Sequence, residues 1–486
     1  MVLPMNPAKK YQKNIDWLLL VFLVLFTNQA ILSLKIIALI AIYILRPNLK
    51  FGLNRIPRFF QIIILISFVN LFLNQDFSKK YLVAFAIGNL FWVLCFLAYH
   101  QFKLSLEKYG TGTVSRTLQV FTLLNFAACV YQLIQIMILT GKLNPYKGLG
   151  FPYGMSTGDH IYGIFMGNAY NNLMVSALLA MFFIFRKNIL FTAVSVASML
   201  LVFGNAGIII FFAVLAGILL LGIRYGRSSK SSLIKNFLPT KGNLFFIFFL
   251  FLGTIVFYGL VSPENIKYTI ERLMMKNTAM ANQTNYNRYE KEKLKQTIYI
   301  NDSSDWAWKK DVTKRYVEHF KGKKLSIVET NDYLLHSVKS FLIGAGTTNF
   351  SSLTAQRMSG LDSSRIFTQV LPFYCSPLYA ANHRLIHIVR LSDKPEYLSQ
   401  TNNWPNSIYS QILGEYGIIG GLIFILFYFG YYFKERKYWS YGLWVTLLII
   451  AFSFFDYMFE PLCVMIFYEL LMEIDIMANK ERLALK

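Results

Sequence analysis

The sequence predicts an all-α polytopic membrane protein, with about 12 transmembrane helices and one large, mainly helical extracytoplasmic loop. Three observations carry that expectation. Only 15% of the 486 residues are charged and 55% are apolar, with mean hydropathy +0.44, whereas a soluble chain has roughly a quarter charged residues. Apolar stretches recur from one end of the chain to the other. Lys and Arg collect in every second connection between them, as the positive-inside rule requires.

A helix needs about 20 mostly apolar residues to cross a hydrocarbon core of about 30 Å. The first candidates are Ile15–Ser33 with the short Leu34–Leu45 fused to it, then Phe59–Leu73 and Tyr81–Tyr99. Thr117–Leu139, Asn168–Phe185, Ile189–Phe203, Asn205–Ile223 and Asn243–Val261 complete a first bundle. Tyr416–Phe433, Trp439–Phe455 and Pro461–Ile476 follow a long hydrophilic stretch. The chain thus divides into an N-terminal bundle over 1–261, a loop over 262–407 and a C-terminal bundle over 408–486. Lys9, Lys10 and Lys13 before Trp17–Phe26 resemble a signal peptide, but no small-residue cleavage site follows. An uncleaved first span is expected.

With the N-terminus inside, the inward connections hold Arg46, Lys50, Arg55 and Arg58, then Lys103, Lys108 and Arg116, then Arg186 and Lys187. Later inward connections hold Arg224, Arg227, Lys230 and Lys235, and then Lys434, Arg436 and Lys437. The outward turns Gly204–Gly207 and Asp456–Glu460 have no positive charge; Lys79 and Lys80 are a mild exception. Both termini are therefore expected in the cytoplasm and the large loop on the far face. The net charge of +23 is explained by these clusters, which set topology and touch anionic headgroups. No basic stripe interleaved with aromatics points to nucleic acid. Cys95, Cys129, Cys375 and Cys463 form neither a disulfide framework nor a zinc spacing, and no metal is expected.

A second, smaller outward loop, Gly141 to about Gly167, carries the titratable pair Asp159 and His160. It reads either as a turn whose acid caps a short helix or as a wall of an active site. In the large loop, Arg272 falls a turn or two beyond the membrane surface, where it reads either as a binder of a lipid phosphate, which arginine holds with a planar fork, or as a snorkelling interfacial arginine. Arg288, Arg357 and the cluster Asn382-His383-Arg384 add cationic and titratable groups. Phe341–Phe350 leads into a Gly-x-Gly segment that reads as a tight turn. Where the loop returns to the membrane come Trp404-Pro-Asn406-Ser407, then Glu415 at the outer boundary of a span, then Gly417, Gly420 and Gly421. Those glycines are expected to admit close neighbours, and the carboxylate needs a partner.

The arrangement resembles the bacterial O-antigen polymerase and O-antigen ligase superfamily of polytopic glycosyltransferases. In that family the loop exit carries a His, a small polar residue, nine variable residues, a Gly, three more and a small residue. Ser407, Gly417 and Gly421 fit that register, with Asn406 at the His position. Phe341–Phe350 looks like the family's Gly-x-Gly-x-x-x-Phe patch, Gly163–Asn172 like its Gly/Asn-rich lead into a mid-chain span, and Arg272 lies where it carries a phosphate-binding arginine. A family Ser-Arg-Gly turn would fall at Asn205-Ala206-Gly207, without its arginine.

The resemblance implies transfer of a growing glycan from undecaprenyl pyrophosphate to a lipid-linked repeat unit, with no cofactor and no metal. Because Asn cannot act as a base, His383, Glu415 and His160 become the candidates for acceptor activation beside Asn406. Arg272, Arg384, Arg357, Arg288, Asp159 and Trp404 are the candidates for substrate binding. The absent His favours a polymerase over a ligase acting on lipid A. Expected partners are the lipid-linked oligosaccharide, membrane lipids, a chain-length regulator and a flippase. The reading in another class is a lipid-linked oligosaccharide flippase or transporter. That reading expects charged residues near the bilayer midplane, and the predicted spans read as almost free of them.

Overall fold

The computed structural model describes residues 14–28, 32–51, 57–146, 157–225, 241–263, 322–359, 374–379 and 407–484. Over these residues the chain is helical, with no strand. In order, the helices are α1 (Trp17–Phe26), α2 (Leu32–Leu45), α3 (Phe59–Asn74), α4 (Lys79–Thr140), α5 (Ala169–Phe185), α6 (Ile189–Leu201), α7 (Asn205–Tyr225) and α8 (Lys241–Val261). The loop region contributes α9 (Gly322–His336), α10 (Val338–Ile343) and α11 (Leu353–Met358). The C-terminal part holds α12 (Ile408–Phe433), α13 (Gly442–Phe452) and α14 (Val464–Ala484).

Among the described residues four helices are long and apolar enough to cross a membrane: α4, α8, α12 and, over Asn205–Arg224, α7. Shorter apolar helices surround them. Helix starts follow capping chemistry: the side chains of Asp16, Ser78, Asn168, Asn188 and Ser407 each accept an amide from the first turn that follows. Asn168 caps α5 after the smaller loop.

The 62-residue α4 holds two of the predicted spans. As a straight rod it would be about 93 Å long. Gly110, at φ 78° and ψ 169°, breaks it, and the chain folds back there. Ser105 bonds Arg46 at the end of α2, and Thr117 accepts the amide of Asp16 at the start of α1. Both sides of the break therefore lie at the same end of the bundle.

The main core is a continuous apolar cluster around α14 and α5. α14 is buried at every position from Val464 to Ile476, and α5 at nearly every position. Helices enclosed on all sides belong in the middle of a bundle. α14 packs against α4, α5 and α13. The sequence made the last span look apolar, yet Glu469, Glu473 and Asp475 are buried on it, and Lys35 is buried on α2. The expectation that the spans are almost free of ionisable groups is corrected by these four.

Candidate functional site

At one end of the bundle the described part of the loop region sits on the membrane helices, with α9 and α10 packed against α12. The seat is a break in α12. Gly417 has φ 65° and ψ −165°, a region essentially restricted to glycine. The kink leaves two carbonyls of α12 to accept from outside the helix: Ala345 N–H donates to Gly414 O and Gly346 N–H to Glu415 O, both at 2.9 Å. The donors come from the expected tight turn, in which Gly344 and Gly346 have φ 73° and 91°. A Cβ on Gly344 would lie 2.6 Å from the Glu415 carbonyl carbon, and one on Gly417 would lie 2.5 Å from Ile343 N. Of the three glycines expected to admit close neighbours, Gly417 does so; Cβ atoms on Gly420 and Gly421 would meet Tyr416 and Leu413 of the same helix.

Side chains from α3 and α4 complete the seat. Asn70 Nδ2 donates to Ile343 O at 2.7 Å and Asn74 Nδ2 to Ala345 O at 2.9 Å. Thr347 Oγ1 lies 2.8 Å from Ser67 Oγ and 3.2 Å from the Tyr416 hydroxyl, which also accepts Trp92 Nε1–H at 2.9 Å. Tyr374 donates to Asn349 Oδ1 at 2.6 Å and its ring packs against Tyr81. Burial raises the Tyr374 hydroxyl above the ordinary tyrosine range.

Two carboxylates occupy the start of α11. Glu415 Oε1 accepts Ser352 N–H at 3.1 Å. Glu460, from the turn before α14, accepts Leu353 N–H at 2.5 Å, Thr354 N–H at 3.0 Å and the Thr354 hydroxyl at 2.7 Å. Three successive amides at a helix start, which favour an anion, are thus satisfied by the protein's own acids. Burial holds the Glu460 carboxyl above the ordinary range, against the Thr354 hydroxyl and the two amides. Arg357, in the last turn of α11, counters the Glu460 charge, and it also interacts electrostatically with Lys35. Lys35 Nζ itself donates to Phe26 O at 2.9 Å and Pro461 O at 3.0 Å.

Glu415 and Arg357, two of the sequence-based candidates, are therefore brought together around Glu460. Glu415 is 0% exposed and bonded to the Ser352 amide, which makes it a positioning group for the loop. Asp159 and His160 lie on a single turn, Thr157–His160, whose Gly158 packs on the end of α6; His160 Nδ1 is 3.4 Å from the Tyr162 hydroxyl. Arg272, Arg288, His383, Arg384, Trp404 and Asn406 lie outside the described residues.

Sequence reasoning missed Glu460, Lys35, Asn70 and Asn74. A signal for the first two existed: each is a charge with no charged neighbour in an apolar surrounding, which in a membrane protein requires a partner. Among the described residues no group of His, Cys, Asp and Glu has the arrangement of a metal site. Comparisons of the chain with protein-family models, curated proteins and solved structures give no match.

Proposed function

We propose that the chain is a polysaccharide repeat-unit polymerase for O-antigen, capsule or exopolysaccharide. It transfers a growing glycan from undecaprenyl pyrophosphate to a lipid-linked repeat unit, as a metal-independent glycosyltransferase of the bacterial cytoplasmic membrane. On this reading the helices amount to about twelve spans, both termini are cytoplasmic, and the loop over 262–407 stands outside.

The observation that supports it best is the seating of residues 338–359 on the kinked α12. It holds Arg357 in a half-buried position next to Glu460, at the junction of loop and apolar helices. A pyrophosphate anchored by a lipid tail would meet the protein at such a junction. Arginines there neutralise the charge that develops on the leaving group. Fixing the loop to the bundle by backbone hydrogen bonds holds an acceptor sugar in line with the anomeric carbon. Arg272 and Arg384 are assigned to the same pyrophosphate, and His383 to acceptor activation.

The test is a gel of surface polysaccharide from cells with and without the gene, and with Arg357→Ala or Arg272→Ala. Collapse of the ladder to a single repeat unit on its anchor supports the polymerase. Full-length polymer left on the lipid carrier would mean a ligase. An unchanged ladder would refute both. A lipid-linked oligosaccharide transporter is the second reading, favoured by one observation: Lys35, Glu469 and Glu473 are buried within the helices.

A further inference from the structure

The end of the bundle remote from the loop junction carries a pocket that the proposed transfer does not use. α5 starts after Asn168, whose side chain donates to Asp456 Oδ2 at 3.4 Å in the turn before α14. It runs for 17 residues to Phe185, a length of about 26 Å, close to that of a hydrocarbon core of about 30 Å. At its far end lies an open cavity of about 260 Å³. Gly112, Ser115, Arg116 and Gln119 line it from the part of α4 beyond the Gly110 break, and Arg186 and Asn188 from the connection between α5 and α6.

The polar groups of this cavity all suit an anion. Two guanidinium groups, a hydroxyl and two carboxamides line it, and among the described residues no carboxylate does. The ion pairs of the described residues, Arg46–Asp16, Lys103–Glu473 and Lys480–Glu435, use neither arginine. Arg116 donates to the neutral Asn14 Oδ1 at 3.1 Å. The Arg186 guanidinium lies over the Phe182 ring, 5.5 Å from its centroid, and interacts with Tyr441 and with Asp475. Asp475 is already held by the amides of Ser440, Tyr441 and Gly442. Two like charges on one small cavity repel, and an anion with several oxygens relieves that repulsion.

The surroundings indicate what carries the anion. Leu123 and Leu124, a turn beyond Gln119, and Ile189 and Leu190, next to Asn188, are all exposed. The cavity itself has the volume of about nine waters, enough for a phosphate and too little for a lipid tail. We propose that it binds the phosphate of an anionic membrane lipid, with Arg116 and Arg186 on the phosphate oxygens and the acyl chains on those exposed side chains. Basic pockets between membrane helices suit such headgroups, and arginine offers them a planar fork. A zwitterionic lipid has the same phosphate but brings its own cation, which the two arginines repel. The site stands independently of the glycan-transfer reading, since its residues are separate and lie at the other end of the bundle.

The test is native mass spectrometry of the purified full chain in detergent, titrated with phosphatidylglycerol or phosphatidylethanolamine. The first phosphatidylglycerol should bind about tenfold more tightly than phosphatidylethanolamine. Arg116→Gln, a change at an exposed side chain, should weaken phosphatidylglycerol about tenfold. Gly112→Leu keeps both charges and fills the pocket; a Cβ there meets nothing within 4 Å, and leucine favours a helix, so the fold is preserved. It should weaken phosphatidylglycerol by a similar factor. Equal binding of the two lipids, or wild-type phosphatidylglycerol binding in either variant, would overturn the site. Displacement of phosphatidylglycerol by millimolar inorganic phosphate would assign the pocket to a free anion and overturn the lipid as its ligand.

Discussion

Gly417→Ala attacks the point on which the loop seat depends. Its φ of 65° and ψ of −165° lie in a region that costs a residue with a Cβ about 1–3 kcal/mol. The new Cβ would also fall 2.5 Å from Ile343 N and from the Leu342 carbonyl, backbone atoms that cannot swing aside. Relief requires α10 to move off α12, breaking the Ala345–Gly414 and Gly346–Glu415 hydrogen bonds, at about 0.5–1.5 kcal/mol each. The turn is therefore destabilised by about 2–6 kcal/mol. Even the lower figure corresponds to about 30-fold faster opening of the turn. Hydrogen–deuterium exchange of the purified protein should show this at the Ala345 and Gly346 amides, with α5 and α14 unchanged. Gly253→Ala, where a Cβ meets nothing within 4 Å, is the control and should leave those amides as they were. Wild-type protection at Ala345 and Gly346 in Gly417→Ala would refute the account of the seat.

Three further outcomes follow from other contacts. Glu460 has a folded-state value above the ordinary 4.5, so its contribution to stability is fully present below the unfolded value and lost as pH rises through the raised one. Thermal unfolding followed from about pH 4 upward should therefore show a flatter profile in Glu460→Gln than in wild type; identical slopes would exclude Glu460 as the titrating group. Arg46 and Asp16 form a buried ion pair at 3.1 Å. Arg46→Met should cost about 3–5 kcal/mol by stranding Asp16, seen as a lowered unfolding temperature that Asp16→Asn partly restores. Burial pushes the half-buried Cys375 thiol up to about 11, so alkylation near neutral pH should be about a hundredfold slower than for a free cysteine. A rate equal to that of a model thiol would contradict the burial.

The helical class was legible because dissolving a chain in lipid changes its whole composition, and capping residues such as Ser407 and Asn168 mark helix starts locally. The turn at Gly344–Gly346 was legible for the same local reason. What it packs against was not: the fit of Gly344 to Gly417 joins positions far apart in sequence, and periodicity says nothing about such pairings. The start of α12 was placed about two turns late, because Ser410, Gln411 and Glu415 weakened the apolar signal there; all three are buried by the loop segment and its neighbours. Glu415 could be picked out as an acid at a span boundary. That its partner would be the amide of Ser352 depends on tertiary structure alone. The same averaging hid Glu469 and Glu473 within a stretch rich in Phe, Leu and Met.

The buried acids of this chain divide by the kind of donor that meets them. Glu415 and Glu460 face backbone amides at the start of α11. Asp475, reaching from α14, accepts the amides of Ser440, Tyr441 and Gly442 at the start of α13. Amides at a helix start have no other partner, do not give up their protons, and align with the helix dipole. A carboxylate held by them is a fixed tie between elements, which suits it to position a loop or a helix. Glu469 and Glu473 meet phenol hydroxyls instead, with one ammonium at the mouth. A hydroxyl both donates and accepts. The acids tied by amides thus account for how the loop region is held on the bundle.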